Sequence, residues 1–125
     1  METVHTEKAP AAIGPYSQAI KTGNLVFTSG QIPVIPQTGE VRGDTMMDQA
    51  EQVMQNVKEV LEAAGSSLEQ VVKTTCFLAD MADFEAFNQI YEQYFTKKPA
   101  RSCVAVKTLP KQVLCEVEAV AEVMQ

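Results

Sequence analysis

Between Leu114 and Met124 the chain alternates with a period of two. Cys115, Val117, Ala119, Ala121 and Val123 fall on one side, and Leu114, Glu116, Glu118, Val120 and Glu122 on the other. Only an extended strand sorts residues this way. The first set is wholly apolar and demands a core beneath it. The second mixes carboxylates with aliphatics, which suits solvent or a subunit interface lined with polar groups. Any fold open to this chain must therefore cover one face of a sheet.

Two segments can supply the cover. In Thr45–Ala64, apolar residues recur at Met46, Ala50, Val53, Val57, Val60/Leu61 and Ala64, spacings of three and four that make one helical stripe. Asp44 or Thr45 is placed to cap its start, and Gly65 stands where a left-handed residue ends a helix. A second helix over about Asp83–Phe95 puts Phe84, Phe87, Ile90/Tyr91 and Tyr94 on one face, with Asp80 as its candidate cap. Between them, Ser66-Ser67-Leu68-Glu69 has capping-box spacing for a short helical turn. The rest reads as strands. Val71–Ala79 is one; Tyr16–Lys21 and Leu25–Gly30 flank a hairpin turn at Thr22-Gly23-Asn24; Ser102–Lys107 and Val113–Met124 are predicted to form a second hairpin around Thr108-Leu109-Pro110-Lys111. The order β-β-(β)-α-β-α-β-β predicts an α+β domain, a mostly antiparallel sheet with two helices on one face. The half-apolar second face predicts cover by further copies in a closed homo-oligomer. With 125 residues, 46% hydrophobic and 21% charged, and no linker or repeat, the expectation is a single domain over residues 1–125.

The chemistry is bounded by what is scarce. His5 is the only histidine and lies near a terminus expected to be mobile, so Ser-His-Asp, Cys-His and multi-His metal arrangements are disfavoured. The net charge of −6 disfavours nucleic acid, whose binding rests on Lys and Arg neutralising phosphates. Cys76, Cys103 and Cys115 have neither disulfide-framework nor zinc spacing and read as small buried apolar residues. The charged N-terminus does not resemble a signal peptide, and no run of 18 apolar residues exists, so the expectation is a cytoplasmic chain with no membrane partner.

Carboxylates, arginine, tyrosine and backbone groups remain. Pro99-Ala100-Arg101-Ser102-Cys103 delivers an arginine at the start of a strand, where its planar fork suits a carboxylate ligand; an exposed cation beside Lys97 and Lys98, or a structural ion pair, is the plainer reading. Half of the registers open to the final hairpin put Arg101 and Cys103 on the face of Glu116 and Glu118, where they would grip an anion and activate water, or merely pair internally. Tyr16 ends a loop of small residues and either donates to a ligand or packs in the core. Gly30, after Thr28 and Ser29, either lets a backbone N–H approach a ligand or marks a bulge before Pro33.

These segments together resemble the RidA family of small imine deaminases, also called the YjgF type. The resemblance rests on Ala9-Pro10-Ala11-Ala12-Ile13-Gly14-Pro15-Tyr16-Ser17-Gln18, Thr28-Ser29-Gly30-Gln31-Ile32-Pro33, Thr38-Gly39-Glu40 and Val72-Lys73-Thr74-Thr75. It continues through Asn88…Tyr91, Pro99-Ala100-Arg101-Ser102-Cys103-Val104, Leu109-Pro110-Lys111 and Glu116-Val117-Glu118-Ala119. It implies a chorismate-mutase-like α+β fold in a homotrimer, with three sheets forming a central barrel, helices outside and active sites in the clefts between subunits. The implied activity is cofactor-free, metal-free hydrolysis of 2-imino acids, or enamines such as 2-aminoacrylate, to 2-oxo acids and ammonia. By the same resemblance Arg101 grips the substrate carboxylate with the backbone N–H groups of Gly30 and Cys103. Glu116 activates water, Tyr16 and Ser29 shape the pocket, and Asn88 lies at its edge. The chain departs from the family in the short Thr96-Lys97-Lys98 loop, in Ala105 where a charge is frequent, and in Cys115.

A non-catalytic binder of small carboxylates would use the same arginine, and turnover separates it from a deaminase. Endoribonuclease activity, attached to some relatives, would want paired acid–base groups and a cationic track, which this composition does not supply.

Overall fold

The helical stripe explains the first long element. In the computed structural model, which describes residues 1–124, helix α1 spans Met46–Ala63, and Ala50, Val53, Val57, Val60 and Leu61 are fully buried along it. Thr45 Oγ1 caps it by accepting from the Asp48 N–H at 3.2 Å, and Gly65 ends it at φ +83°. Helix α2 spans Phe84–Tyr94 behind a one-turn 3₁₀ segment, Met81–Asp83, whose cap is Asp80 accepting from the Ala82 N–H at 2.9 Å.

The described residues also form six strands: β1 (Glu2–Val4), β2 (Ala19–Thr22), β3 (Leu25–Thr28), β4 (Val71–Leu78), β5 (Ala100–Ala105) and β6 (Cys115–Glu122). They form one sheet in the order β1-β2-β3-β6-β4-β5. All neighbouring pairs are antiparallel except β4 and β5, which run parallel. Cys115, Val117, Ala119 and Ala121 of β6 are buried beneath the helices, as the alternation requires. Val123, read as a fifth member, lies past the strand end and is only partly buried. The β2–β3 hairpin turns at Gly23-Asn24, with Gly23 at φ +59°.

Three expectations are corrected. Residues 102–107 and 113–124 do not form a hairpin: β4 lies between β5 and β6, because α2 carries the chain from β4 to a parallel neighbour and residues 106–114 step back across β4. The Ser66–Glu69 capping box does not form; Ser66 Oγ donates instead to the Glu122 carbonyl at 2.6 Å, tying the end of α1 to β6. The N-terminus is not loose: β1 pairs with β2, and His5 follows it as an exposed residue.

The face away from the helices carries exposed Phe27 and Val104, half-buried Phe77 and Val120, and the side chains of Glu116 and Glu118. No helix among the described residues is long and apolar enough to cross a membrane.

Candidate active site

Register decides where the candidate residues meet. Arg101 pairs with Thr74 and Cys103 with Cys76, both buried on the helix face; Glu116 pairs with Phe77 and Glu118 with Thr75, on the opposite face. Residues in register share a face. The arrangement that would have set Arg101 and Cys103 beside Glu116 and Glu118 therefore does not hold within one chain.

On the helix side, β5 is the sheet edge and Arg101 reaches over it toward α2. Its Nη1 donates to Asn88 Oδ1 at 2.7 Å, and its guanidinium carbon lies 4.7 Å from the Tyr91 ring centroid and 5.5 Å from that of Phe84. Among the described residues no carboxylate pairs with it, which removes the structural ion-pair reading. A cleft of about 310 Å³ opens here, lined by Asn88, Tyr91, Glu92, Phe95, Pro99 and Arg101 among others. The Val106 N–H donates to the Leu78 carbonyl at 2.9 Å, which turns the backbone groups of Ser102 and Val104 toward β4. Alternation then turns those of Arg101 and Cys103 to the free edge. The Cys103 N–H therefore points to the free edge of the sheet, on the strand that carries Arg101.

The Cys103 thiol is biased toward its protonated form. Burial raises its thiol above the ordinary range and pushes those of Cys76 and Cys115 up to about 12.

On the open face, the half-buried Glu116 carboxylate lies against Gly30. A Cβ at Gly30 would sit 2.0 Å from Glu116 Oε2 and 2.8 Å from its Cδ. A side chain at Gly30 would take the space the carboxylate occupies, and Gly30 also lies in a bulge: Phe27 pairs with Val120 and Gln31 with Val117, so residues 28–30 oppose only two residues of β6. Burial first, and the charge of Glu118 second, raise the Glu116 carboxyl above the usual carboxylate range.

Beside it lies a largely apolar cavity of about 550 Å³, lined by Ile13, Tyr16, Gly30, Ile32, Val34 and Lys111 among others. Tyr16 is 54% exposed and is not a core residue. Its loop is held by Gln18, whose buried carboxamide donates to the carbonyls of Thr6 (3.0 Å) and Pro10 (2.8 Å) and accepts from the Thr6 N–H (2.7 Å). Ser29 Oγ donates to the Ser17 carbonyl at 2.6 Å, fastening the same loop to the end of β3.

The candidates thus form two groups, Arg101, Asn88 and Cys103 on one side and Tyr16, Ser29, Gly30 and Glu116 on the other. Phe84 and Tyr91 escaped the sequence reading, which assigned them to the core stripe of α2. Their signal lay in the spacing 84, 88, 91, which places both rings on the face of Asn88. Among the described residues, no group of three or more His, Cys, Asp or Glu is placed to hold a metal ion.

Residues 6–123 match the family model described as Endoribonuclease L-PSP. The chain is 52% identical over 124 residues to a protein of Escherichia coli strain K12 named 2-iminobutanoate/2-iminopropanoate deaminase, covering 96% of each. It superposes on the crystal structure of the E. coli YjgF gene product with TM-score 0.93 and 50% identity, covering 98% of each chain. E. coli TdcF, solved with bound serine, matches with TM-score 0.94 and 46% identity over 99% of this chain and 100% of that one.

Proposed function

The chain belongs to the Endoribonuclease L-PSP (RutC/YjgF) family, and from that membership we propose that it hydrolyses 2-imino acids to 2-oxo acids and ammonia at sites shared between copies of a homotrimer. The observation that carries this reading is the state of Arg101, held in an open cleft by an amide and two ring faces and, among the described residues, paired with no carboxylate. Such a guanidinium keeps its charge and most of its donors for a ligand carboxylate. Glu116 lies on the other face of the same sheet, so both act on one substrate only when different copies supply them. The half-apolar face around Phe27 and Val120 supports an assembly that would bring them together.

The chemistry asks little of the protein. Water adds to the imine carbon as Glu116 takes one of its protons, the C=N electron pair moves to nitrogen, and the protonated Glu116 returns that proton to the nitrogen. The resulting carbinolamine expels ammonia as its hydroxyl proton passes to the departing nitrogen, giving the 2-oxo acid and the ionised Glu116. Because an imine carbon is already electrophilic, orientation and one proton acceptor suffice. The direct assay generates 2-iminobutanoate in situ with an amino-acid oxidase and follows 2-oxo acid release. Acceleration by the protein is expected; an inert protein that still binds 2-oxo acids would instead favour the small-carboxylate binder, a reading kept open by the serine in the TdcF structure.

A raised Glu116 pKa leaves less ionised base at a given acidic pH. The acid limb of kcat/KM should therefore lie above the ordinary carboxylate range. Glu118→Gln removes the neighbouring charge and should move that limb to lower pH, which a pH–rate profile of the two proteins reads directly. Gly30→Ala has a different signature. Its Cβ would displace the movable end of Glu116 rather than backbone, so melting should change little while kcat falls by about 10-fold or more, a misplaced group costing up to ~100-fold. Unchanged kcat in Gly30→Ala would separate the carboxylate position from turnover.

A further inference from the structure

Arg101 is held without being neutralised, and the manner of holding brings in Tyr91. A carboxylate partner would fix the guanidinium firmly but cancel the charge an anionic ligand needs. An aromatic face attracts the cation while using none of its N–H donors. Here the Tyr91 ring lies under the guanidinium at 4.7 Å, and among the described residues only one side-chain N–H is spent, on Asn88.

The ring is itself fixed at its hydroxyl and against two neighbouring rings. Tyr91 is buried, and its hydroxyl shares a 2.7 Å hydrogen bond with Thr74 Oγ1. Its ring centroid lies 4.6 Å from that of Phe95 and 5.9 Å from that of Phe87. Thr74 is fully buried and is the register partner of Arg101 on β4. The three residues thus close a loop: backbone pairing sets Thr74 against Arg101, Thr74 holds the Tyr91 hydroxyl, and the Tyr91 ring supports the guanidinium.

We propose that Tyr91, through its ring face, is a positioning residue that sets the direction of the Arg101 guanidinium and thereby the affinity of the site for carboxylate ligands. The proposal rests on the reading of Arg101 as the carboxylate anchor. Phe84, at 5.5 Å, plays a lesser part from the half-buried side.

Two substitutions separate the ring from the hydroxyl. Tyr91→Leu removes the π face and keeps apolar bulk; Tyr91→Phe keeps the face. Tyr91→Leu is expected to raise KM for 2-iminobutanoate and Kd for 2-oxobutanoate about 3- to 30-fold, the range a partly desolvated cation–π contact supplies. Its kcat should stay within about threefold, as for lost uniform binding, and Tyr91→Phe should keep Kd within about threefold of wild type. A ring needed only for packing would lower the melting temperature of Tyr91→Leu and leave KM and Kd of the folded protein unchanged, which overturns the proposal. Equal losses of affinity in Tyr91→Leu and Tyr91→Phe also overturn it, since the hydroxyl would then be the agent. Should Tyr91→Leu not fold, Phe84→Leu takes its place, with a smaller rise in Kd expected and an unchanged Kd contradicting the account. Arg101→Ala distinguishes the levels: if it leaves Kd unchanged, the anchor reading fails. If it raises Kd while Tyr91→Leu does not, only the positioning role fails.

Discussion

Glu116→Gln is expected to lower kcat for imine hydrolysis by about 100- to 10,000-fold, the range spanned by positioned general acids and bases. Affinity for a 2-oxo acid should stay within about threefold, because the residue touches the water rather than the carboxylate in this mechanism. The substitution is nearly isosteric and leaves the contact with Gly30 in place. It also removes an unfavourable feature of the fold. Burial raises the Glu116 pKa, so the folded protein holds that proton more tightly than the unfolded chain. The stability tied to the protonated form is present below the unfolded pKa and is lost as pH rises through the folded one. At neutral pH the glutamine variant should therefore melt no lower than wild type. Single-turnover rates and oxo-acid titration, with melting as the control, check both halves. Parallel loss of kcat and affinity would make Glu116 a structural residue.

Arg101→Ala should have a comparable effect by a different route. Losing one partner of a desolvated charge pair weakens binding by about 2–5 kcal/mol, so Kd for 2-oxo acids should rise by about 30- to 5,000-fold with kcat/KM falling in step. Arg101→Lys should recover only part of this, because an ammonium lacks the planar fork that binds both carboxylate oxygens and sits over the Tyr91 ring. Titration calorimetry with a 2-oxo acid reads the effect without generating the unstable imine. Wild-type affinity in Arg101→Ala would remove the anchor.

Much of the fold was legible because it is written locally. The α1 stripe from Met46 to Ala64 and the alternation of β6 each need only neighbouring residues, and the Gly23-Asn24 turn carries its own left-handed glycine. The site was legible as a set of residues but not as an arrangement. Whether Arg101 and Glu116 share a face depends on which strand β5 adopts as neighbour. Adjacent strand runs favour a hairpin on local grounds, yet α2, with Phe87 and Ile90 buried, packs on α1 and carries β5 to the far side of β4. The parallel β4–α2–β5 unit had a signal, a helical stretch between two strand runs, but its register is set by long-range pairing that no local pattern specifies. Gly30 likewise reads as a point of backbone approach or a bulge, and nothing local in the sequence shows the carboxylate that lies over it.

The mixing of two inactive proteins bears most directly on the shared site. Arg101→Ala and Glu116→Gln, co-expressed or refolded together at equal amounts, should each be nearly inert alone. If one copy supplies the guanidinium and another the carboxylate, random assortment rebuilds about a quarter of the sites, one half multiplied by one half, and activity should return toward about a quarter of wild type. Co-assembled material, verified by native mass, that is no more active than the two variants measured apart would contradict it.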